Sequence, residues 1–140
     1  MLGNDHKLWS DRRKNAVVSE NGRLYRATNS SDKLLACYQI DGGLIVEGIR
    51  CDFAITINDE HKIYFIELKG GDISHAADQI LSTISKLNNN LGNVTLLARI
   101  VCSHVRRPNI RRPPLVRLEQ LVARTAGNVR VSTRELEEAI

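Results

Sequence analysis

The sequence has few cysteines, and their arrangement disfavours two classes of small protein. The three are Cys37, Cys51 and Cys102, and no pair has CxxC spacing. An odd number in apolar surroundings argues against a disulfide framework, so we expect reduced thiols in the core. His104 stands beside Cys102 in sequence, but no second pair of soft ligands accompanies them, which argues against a structural zinc site.

Long hydrophobic runs are also missing. No segment approaches the roughly 20 apolar residues that a membrane span needs, and the opening MLGNDHKLWSDRRKN is polar and interrupted by charges, unlike a signal peptide. We therefore expect no membrane association and a cytoplasmic protein. Aromatic residues make up only 4% of the chain, which disfavours a surface that binds single strands by stacking on their bases.

Prolines occur in one region only. Pro108, Pro113 and Pro114 lie in RRPNIRRPP, where we expect a loop rather than regular structure. The net charge is +4, and much of the basic excess lies in and after this loop. It is carried by arginine, whose planar guanidinium suits contacts to phosphate. The charge alone leaves a solvated basic surface and a nucleic-acid interface equally open. The candidate phosphate contacts are Arg106, Arg107, Arg111 and Arg112.

Hydrophobic periodicity predicts the elements before this loop. An amphipathic helix is expected within residues 6–18, followed by two hairpins. The first joins KLLACYQI to LIVEGIR across the turn DGG, and the second joins CDFAITI to KIYFIEL across NDEH. Apolar residues from Ile73 to Leu91 then recur with helical spacing after a cap at Asp72 or Ser74, and VTLLARIV reads as a buried strand.

The elements after the loop are shorter. LVRLEQLVARTAG is predicted to be a helix and VRV an edge strand, while Ser132 with Glu135 forms the capping box of a last helix. Together the elements predict an α/β fold with a central mixed, largely antiparallel sheet flanked by helices. We expect one domain over residues 1–140, with a core at 34–101, a basic proline-rich loop at 106–114 and a C-terminal appendix at 115–140.

Two charged residues stand at the end of the apolar strand KIYFIEL. Alternation along a strand puts Glu67 and Lys69 on one face. If Asp59 and Glu60 form a two-residue loop, the register brings Asp52 opposite Glu67, whereas a three-residue loop would shift the pairing by one. Facing carboxylates need neutralising, and Mg²⁺ takes one or two carboxylates plus water and substrate phosphate. The alternative is a solvated Asp52 beside an ordinary ion pair of Glu67 with Lys69.

The series Asp52-x14-Glu67-Leu68-Lys69, on adjoining strands and followed by Gly-Gly and a helix, resembles the PD-(D/E)XK nuclease superfamily of restriction enzymes and Holliday junction resolvases. The resemblance covers the core and implies a restriction-endonuclease-like fold. It also implies that Asp52 and Glu67 bind Mg²⁺, with Mn²⁺ as a substitute, and that Lys69 is the catalytic lysine. The carbonyl of Leu68 is a further candidate ligand. Cys51 stands where the family has its namesake proline, a common variation.

Other polar residues surround this motif. Several branches of the superfamily place a glutamine on the following helix, and Gln79 resembles it, although a solvated helix face explains this residue equally well. For His75 a surface position is favoured over a role as general base. A third carboxylate is available from Glu20, Asp41 or Glu47, and the sequence does not separate these three.

The sequence leaves two classes of function open. The leading hypothesis is a metal-dependent endonuclease that hydrolyses nucleic acid, with DNA favoured over RNA. The alternative is a catalytically inactive module of the same fold that binds nucleic acid or a protein partner. The apolar segment VTLLARIV has two explanations: it is an edge strand that pairs with a second copy in a homodimer, or it is a central strand buried inside the sheet. Substrate specificity and biological role stay open.

Overall fold

The computed structural model of the chain describes residues 2–43, 45, 51–68, 72–104 and 112–140, without the side chains of residues 89 and 90. Within these ranges the chain forms nine β-strands and two α-helices. The strands are β1 (Lys7–Asp11), β2 (Asn15–Glu20), β3 (Arg23–Thr28), β4 (Leu35–Gln39), β5 (Phe53–Ile57), β6 (Lys62–Glu67), β7 (Thr95–Cys102), β8 (Val129–Thr133) and β9 (Glu135–Ala139). The helices are α1 (Ile73–Leu91) and α2 (Pro113–Ala123).

Six strands form a mixed sheet in the order β1-β4-β5-β6-β7-β8. The pairings from β1 to β6 are antiparallel, and β7 and β8 continue the sheet in parallel. Parallel neighbours need a crossover connection, and α1 and α2 supply these crossovers before β7 and β8. The structure therefore confirms a mixed α/β sheet.

A second sheet, of the strands β2, β3 and β9, packs on the face of the larger sheet opposite the helices. A hairpin joins β2 to β3 across Asn21 and Gly22, both with positive φ (48° and 80°), as a two-residue turn between twisted strands requires. The strand β9 adds to β3 in parallel. The helices that were predicted to flank the sheet lie on one face only: both pack into the apolar cluster there, while this three-stranded sheet packs on the opposite face.

The central strand β6 is apolar because both of its faces are covered. Ile63 and Phe65 lie in the cluster beneath the helices, while Tyr64 and Ile66 lie in the cluster beneath the three-stranded sheet. A strand buried on both sides reads as a continuous hydrophobic run rather than an alternating one.

Several predicted elements are confirmed. The hairpin of β5 with β6 forms, and α1 begins after Asp72, whose Oδ1 accepts the amide of His75 at 3.1 Å. The strand β8 lies at an edge of the larger sheet. The strand β7 is buried between β6 and β8, so of the two alternatives that the sequence left open for it, burial inside the sheet is the one observed.

Other predictions were wrong. Residues 6–18 contribute to β1 and β2 instead of a helix: around the exposed Val17, Ala16 and Val18 point inward with a period of two. Pro113 and Pro114 were assigned to a loop but open α2, where a fixed φ and a missing N–H fit the first turn.

The predicted last helix is also wrong. Ser132 of β8 donates its hydroxyl to the carbonyl of Glu135, the first residue of β9, at 2.6 Å, so it caps no helix. Residues 115–140 supply most of α2 and strands to both sheets. Apart from Ile45, which forms an isolated bridge with Asp41, the predicted strand LIVEGIR lies outside the described residues.

A buried ion pair joins the two sheets. Arg99 of β7 is 2% exposed and donates to both carboxylate oxygens of Glu138 on β9, at 2.5 and 3.1 Å. The hydroxyl of Tyr25 donates to the same carboxylate at 2.9 Å. Burial alone would raise the pKa of Glu138, but the hydrogen bonds and charge of Arg99, with the bond from Tyr25, hold this pKa below its usual value. Burial and the neighbouring Glu138 raise the pKa of Tyr25.

We expect Glu138→Gln to lower the free energy of unfolding at pH 7 by about 3 kcal/mol, because Arg99 stays buried without its counter-charge. The pKa of Glu138 is lowered on folding, so this stabilisation is present above the unfolded value of 4.5 and is lost as the pH falls below it. Urea denaturation at pH 7 and at pH 3 measures both effects. The exposed neighbour Glu137→Gln is the control, and an equal loss in both variants would contradict the prediction.

Candidate functional site

The register of the β5–β6 hairpin sets the position of the predicted site. Ile57 pairs with Lys62 and Phe53 with Ile66, so the next position outward sets Asp52 against Glu67. This is the predicted register. The turn itself is longer than predicted, because a single 3₁₀ turn at Asn58–Glu60 occupies part of the four-residue connection 58–61.

Asp52 is fixed at the beginning of its strand. The residue is 3% exposed, and its Oδ2 accepts the amide of Leu68 at 2.9 Å. Its own amide donates to the carbonyl of Ile66 at 3.2 Å, and its carbonyl accepts the amides of Ile40 and Asp41 at 3.0 and 3.3 Å. The alternative of a solvated Asp52 is therefore wrong.

Glu67 is fully buried at the end of β6. Alternation gives it the same face as Ile63 and Phe65, which lie in the cluster beneath α1. The same alternation along β5 aligns Asp52 with Ala54 of that cluster. A buried carboxylate needs compensating charge and hydrogen bonds, so a cation or a basic side chain fits this position. Lys69 lies outside the described residues.

Cys51 lies close enough to both carboxylates for their charges to act on its thiol. Burial raises the pKa of Cys51, and the negative charges of Glu67 and Asp52 raise it further. The three residues therefore share one buried electrostatic environment. Among the residues that the structure describes, no three histidine, cysteine, aspartate or glutamate side chains form a group suited to hold a metal ion.

The helix α1 contributes polar residues from its buried side. Gln79 is 7% exposed and Thr83 is fully buried, so a solvated helix face does not explain Gln79. Thr83 Oγ1 accepts the amide of Cys51 at 2.8 Å and donates to the carbonyl of Gln79 at 2.8 Å. His75 is exposed. The contact of Thr83 was missed, because threonine at a polar helix position gives no sequence signal of it.

The carbonyl of Leu68 has a cationic partner. Arg23 of β3 donates its Nε to this oxygen and its Nη1 to the hydroxyl of Ser103 at 2.6 Å. A metal ion at the Leu68 carbonyl would have to share the oxygen with Arg23 or displace it. Sequence reasoning missed Arg23, since only the packing of the three-stranded sheet brings it to the end of β6.

The structure describes two of the three predicted third acids. Asp41 lies beside Asp52 through the backbone contact given above, and its own side chain is half-buried. Glu20 ends β2 and lines a groove of about 500 Å³ together with Arg23 and Arg134. Glu47 lies outside the described residues. Of the two that the structure describes, Asp41 is the one whose backbone is hydrogen-bonded to Asp52.

Of the four candidate phosphate-binding arginines, the structure places Arg112. It is exposed and immediately precedes α2. Arg106, Arg107 and Arg111 lie outside the described residues.

Two of the described side chains have the chemistry to hold a divalent cation. Asp52 and Glu67 offer carboxylate oxygens, and Mg²⁺ is commonly held by one or two carboxylates with water and substrate phosphate completing its shell.

A scan against models of known protein families finds no match, and searches of curated proteins and of solved structures find no significant one. None of the described helices has the length and apolar character needed to cross a membrane.

We expect Mg²⁺ or Mn²⁺ to raise the melting temperature of the chain, and Glu67→Gln to abolish the shift. Metal at 100 times its Kd would add about 2.7 kcal/mol to the free energy of unfolding. In EDTA the melting temperature of each chain serves as the reference for its metal shift. Thermal unfolding with and without metal measures both effects. Asp59→Asn, at the exposed end of the hairpin, should keep the metal shift; an equal shift with Glu67→Gln would contradict the assignment.

Proposed function

We propose that the protein is a metal-dependent nuclease that hydrolyses phosphodiester bonds in nucleic acid, with DNA favoured over RNA. The observation that carries the proposal is the pair of buried carboxylates, Asp52 and Glu67, at facing positions of adjoining strands. The order of elements also supports it. Three antiparallel strands, β4 to β6, are followed by α1 and by the parallel strand β7, which is the arrangement implied by the resemblance to the PD-(D/E)XK superfamily.

The two carboxylates would hold Mg²⁺ or Mn²⁺. When bound, the ion supplies Lewis acidity and neutralises charge on the phosphate. The amide of Leu68 orients the Asp52 carboxylate through its bond to Oδ2. Burial of Glu67 keeps water away and strengthens its attraction for a cation, because electrostatic interactions grow as the local dielectric falls.

Two further residues have assigned roles in the proposal. Lys69 follows Glu67 by two residues in sequence, and its ammonium would orient the attacking water and offset negative charge in the transition state. Gln79 is buried on the side of α1 that Thr83 ties to Cys51, and its amide would position the nucleophile or the phosphate. Neither role needs the exposed His75.

A second candidate function is a non-catalytic module that binds nucleic acid or a protein partner. The contact of Arg23 with the Leu68 carbonyl favours it, because a guanidinium already provides positive charge at an oxygen that a metal would use. In that case Asp52 and Glu67 belong to an ionic cluster that stabilises the fold.

Cleavage assays separate the two candidates. Supercoiled plasmid, branched DNA, single-stranded DNA and tRNA are incubated with Mg²⁺, Mn²⁺ or EDTA. We expect metal-dependent cutting by the natural chain and a loss of at least about 100-fold in Glu67→Ala and in Lys69→Ala, as for removal of groups that stabilise transition-state charge. Asp59→Ala and Lys14→Ala, which remove the same charges at exposed positions, should cut normally. Absence of cutting with every substrate would favour the non-catalytic module.

Binding of nucleic acid should depend steeply on salt if the arginines before α2 contact phosphates. We expect Arg112→Ala to reduce the slope of log K against log salt by about 0.9 for duplex DNA, one phosphate contact. Fluorescence anisotropy with a labelled duplex in EDTA measures this slope without cleavage. Arg124→Ala at the other end of α2 is the matched control and should leave the slope unchanged. A flat salt dependence in the natural chain would remove these arginines from the interface.

A further inference from the structure

We propose that Thr83 is a positioning residue for the carboxylate of Asp52. This inference deepens the proposed function, on which it rests for its effect on metal binding. Thr83 belongs to α1 and is fully buried, so its hydroxyl has no access to solvent. It accepts the amide of Cys51 at 2.8 Å, and Cys51 is the residue immediately before Asp52.

The hydroxyl group of Thr83 makes two hydrogen bonds of different kinds. Its proton goes to the carbonyl of Gln79 four residues earlier at 2.8 Å, a common contact of threonine inside helices. That bond fixes the direction of the hydroxyl and leaves its oxygen lone pairs to accept the Cys51 amide. Valine has the same shape but no acceptor, and serine keeps the acceptor while losing only a methyl group.

The contact matters for the site because of where it falls along the chain. The segment carrying Asp52 is bonded through its backbone to Ile40 and Asp41 on one side and to Ile66 on the other. Those bonds lie in the plane of the sheet and fix the register of the segment. The bond to Thr83 comes from the helix layer, and it fixes the distance between the start of this segment and α1.

A continuous set of contacts therefore joins the helix to the carboxylate. It runs from the carbonyl of Gln79 through Thr83 to the amide of Cys51, then along the chain to Asp52, whose Oδ2 accepts the amide of Leu68. Cys51 and Asp52 are both buried, so the segment has little freedom once the hydroxyl is in place. Removing the hydroxyl should release the start of the segment and misplace the carboxylate relative to Leu68 and Glu67.

The test compares Thr83→Val with Thr83→Ser. We expect the valine variant to speed amide hydrogen exchange at Cys51 and Leu68 and to weaken Mn²⁺ binding about tenfold, the low end of the effect of losing a residue that orients a metal ligand. Serine should restore both quantities to near their natural values. Amide exchange by NMR and calorimetric titration with Mn²⁺ measure them on the full chain.

Thr56→Val is the matched control. Thr56 is a second buried threonine, on β5, whose hydroxyl donates to Asn58 Oδ1 at 2.7 Å, toward the turn end of the hairpin. It should leave exchange at Leu68 and Mn²⁺ affinity unchanged, whatever its effect on the unfolding temperature. Urea denaturation gives the free energy of unfolding of both valine variants. Exchange at Leu68 is then compared at temperatures where these free energies are equal.

The two readouts keep this inference separate from the proposed function. If the natural chain neither binds Mn²⁺ nor cuts nucleic acid, the nuclease proposal fails, while faster exchange at Leu68 in Thr83→Val alone still supports the positioning role. If Thr83→Val and Thr56→Val change exchange at Leu68 equally, the positioning role is overturned even in an active nuclease. The same holds if serine fails to restore the Leu68 exchange rate.

Discussion

The pairing of β5 with β6 is the constraint on which the rest of the molecule depends. These strands lie in the middle of the six-stranded sheet, with helices above and a second sheet below. Shifting the pairing by one residue would reverse the faces of every side chain in one strand, exchanging residues between the two apolar clusters. The register that keeps both clusters apolar is also the one that sets Asp52 against Glu67. Burial therefore fixes the positions of the two carboxylates.

Each face of the larger sheet carries buried charge, but the two faces handle it differently. Beneath the three-stranded sheet, Arg99 and Glu138 form a forked ion pair that Tyr25 completes. Beneath the helices, the carboxylates of Asp52 and Glu67 occupy neighbouring positions of the same sign. An ion pair of opposite signs supports the packing of two layers. Two carboxylates at facing positions repel each other, and such pairs are typical of sites that bind a cation or do chemistry.

The sequence predicted the elements whose signals are local and strong. The β5–β6 hairpin, the helix α1 and the burial of β7 all follow from periodicity and residue type, and the cap of α1 was narrowed to Asp72 or Ser74. Predictions failed where distant packing decides the structure. Residues 6–18 have polar and apolar positions that suit a helix, but they form strands because β3 and β4 offer edges for pairing.

The candidate site was predictable in part for the same reason. Asp52 and Glu67 could be brought together by counting residues across one hairpin, a local operation. Arg23 reaches Leu68 from 45 residues away, and Thr83 reaches Cys51 across 32 residues. These contacts depend on the docking of whole layers, for which a single sequence carries no periodic signal.

The parallel pairing of β3 with β9 has a consequence for how the protein is made. The two strands are separated by more than a hundred residues, so β3 leaves the ribosome long before the strand that it pairs with. Until β9 arrives, β3 lacks one of its two neighbouring strands, and Arg99 of β7 lacks Glu138 as its partner. Long-range pairing of this kind is slow and comes late in folding. The β5–β6 hairpin, which carries Asp52 and Glu67, can therefore form early in synthesis. The three-stranded sheet that carries Arg23 is completed only when β9 has been made. The hydrogen bond from Arg23 to the Leu68 carbonyl therefore forms after the hairpin.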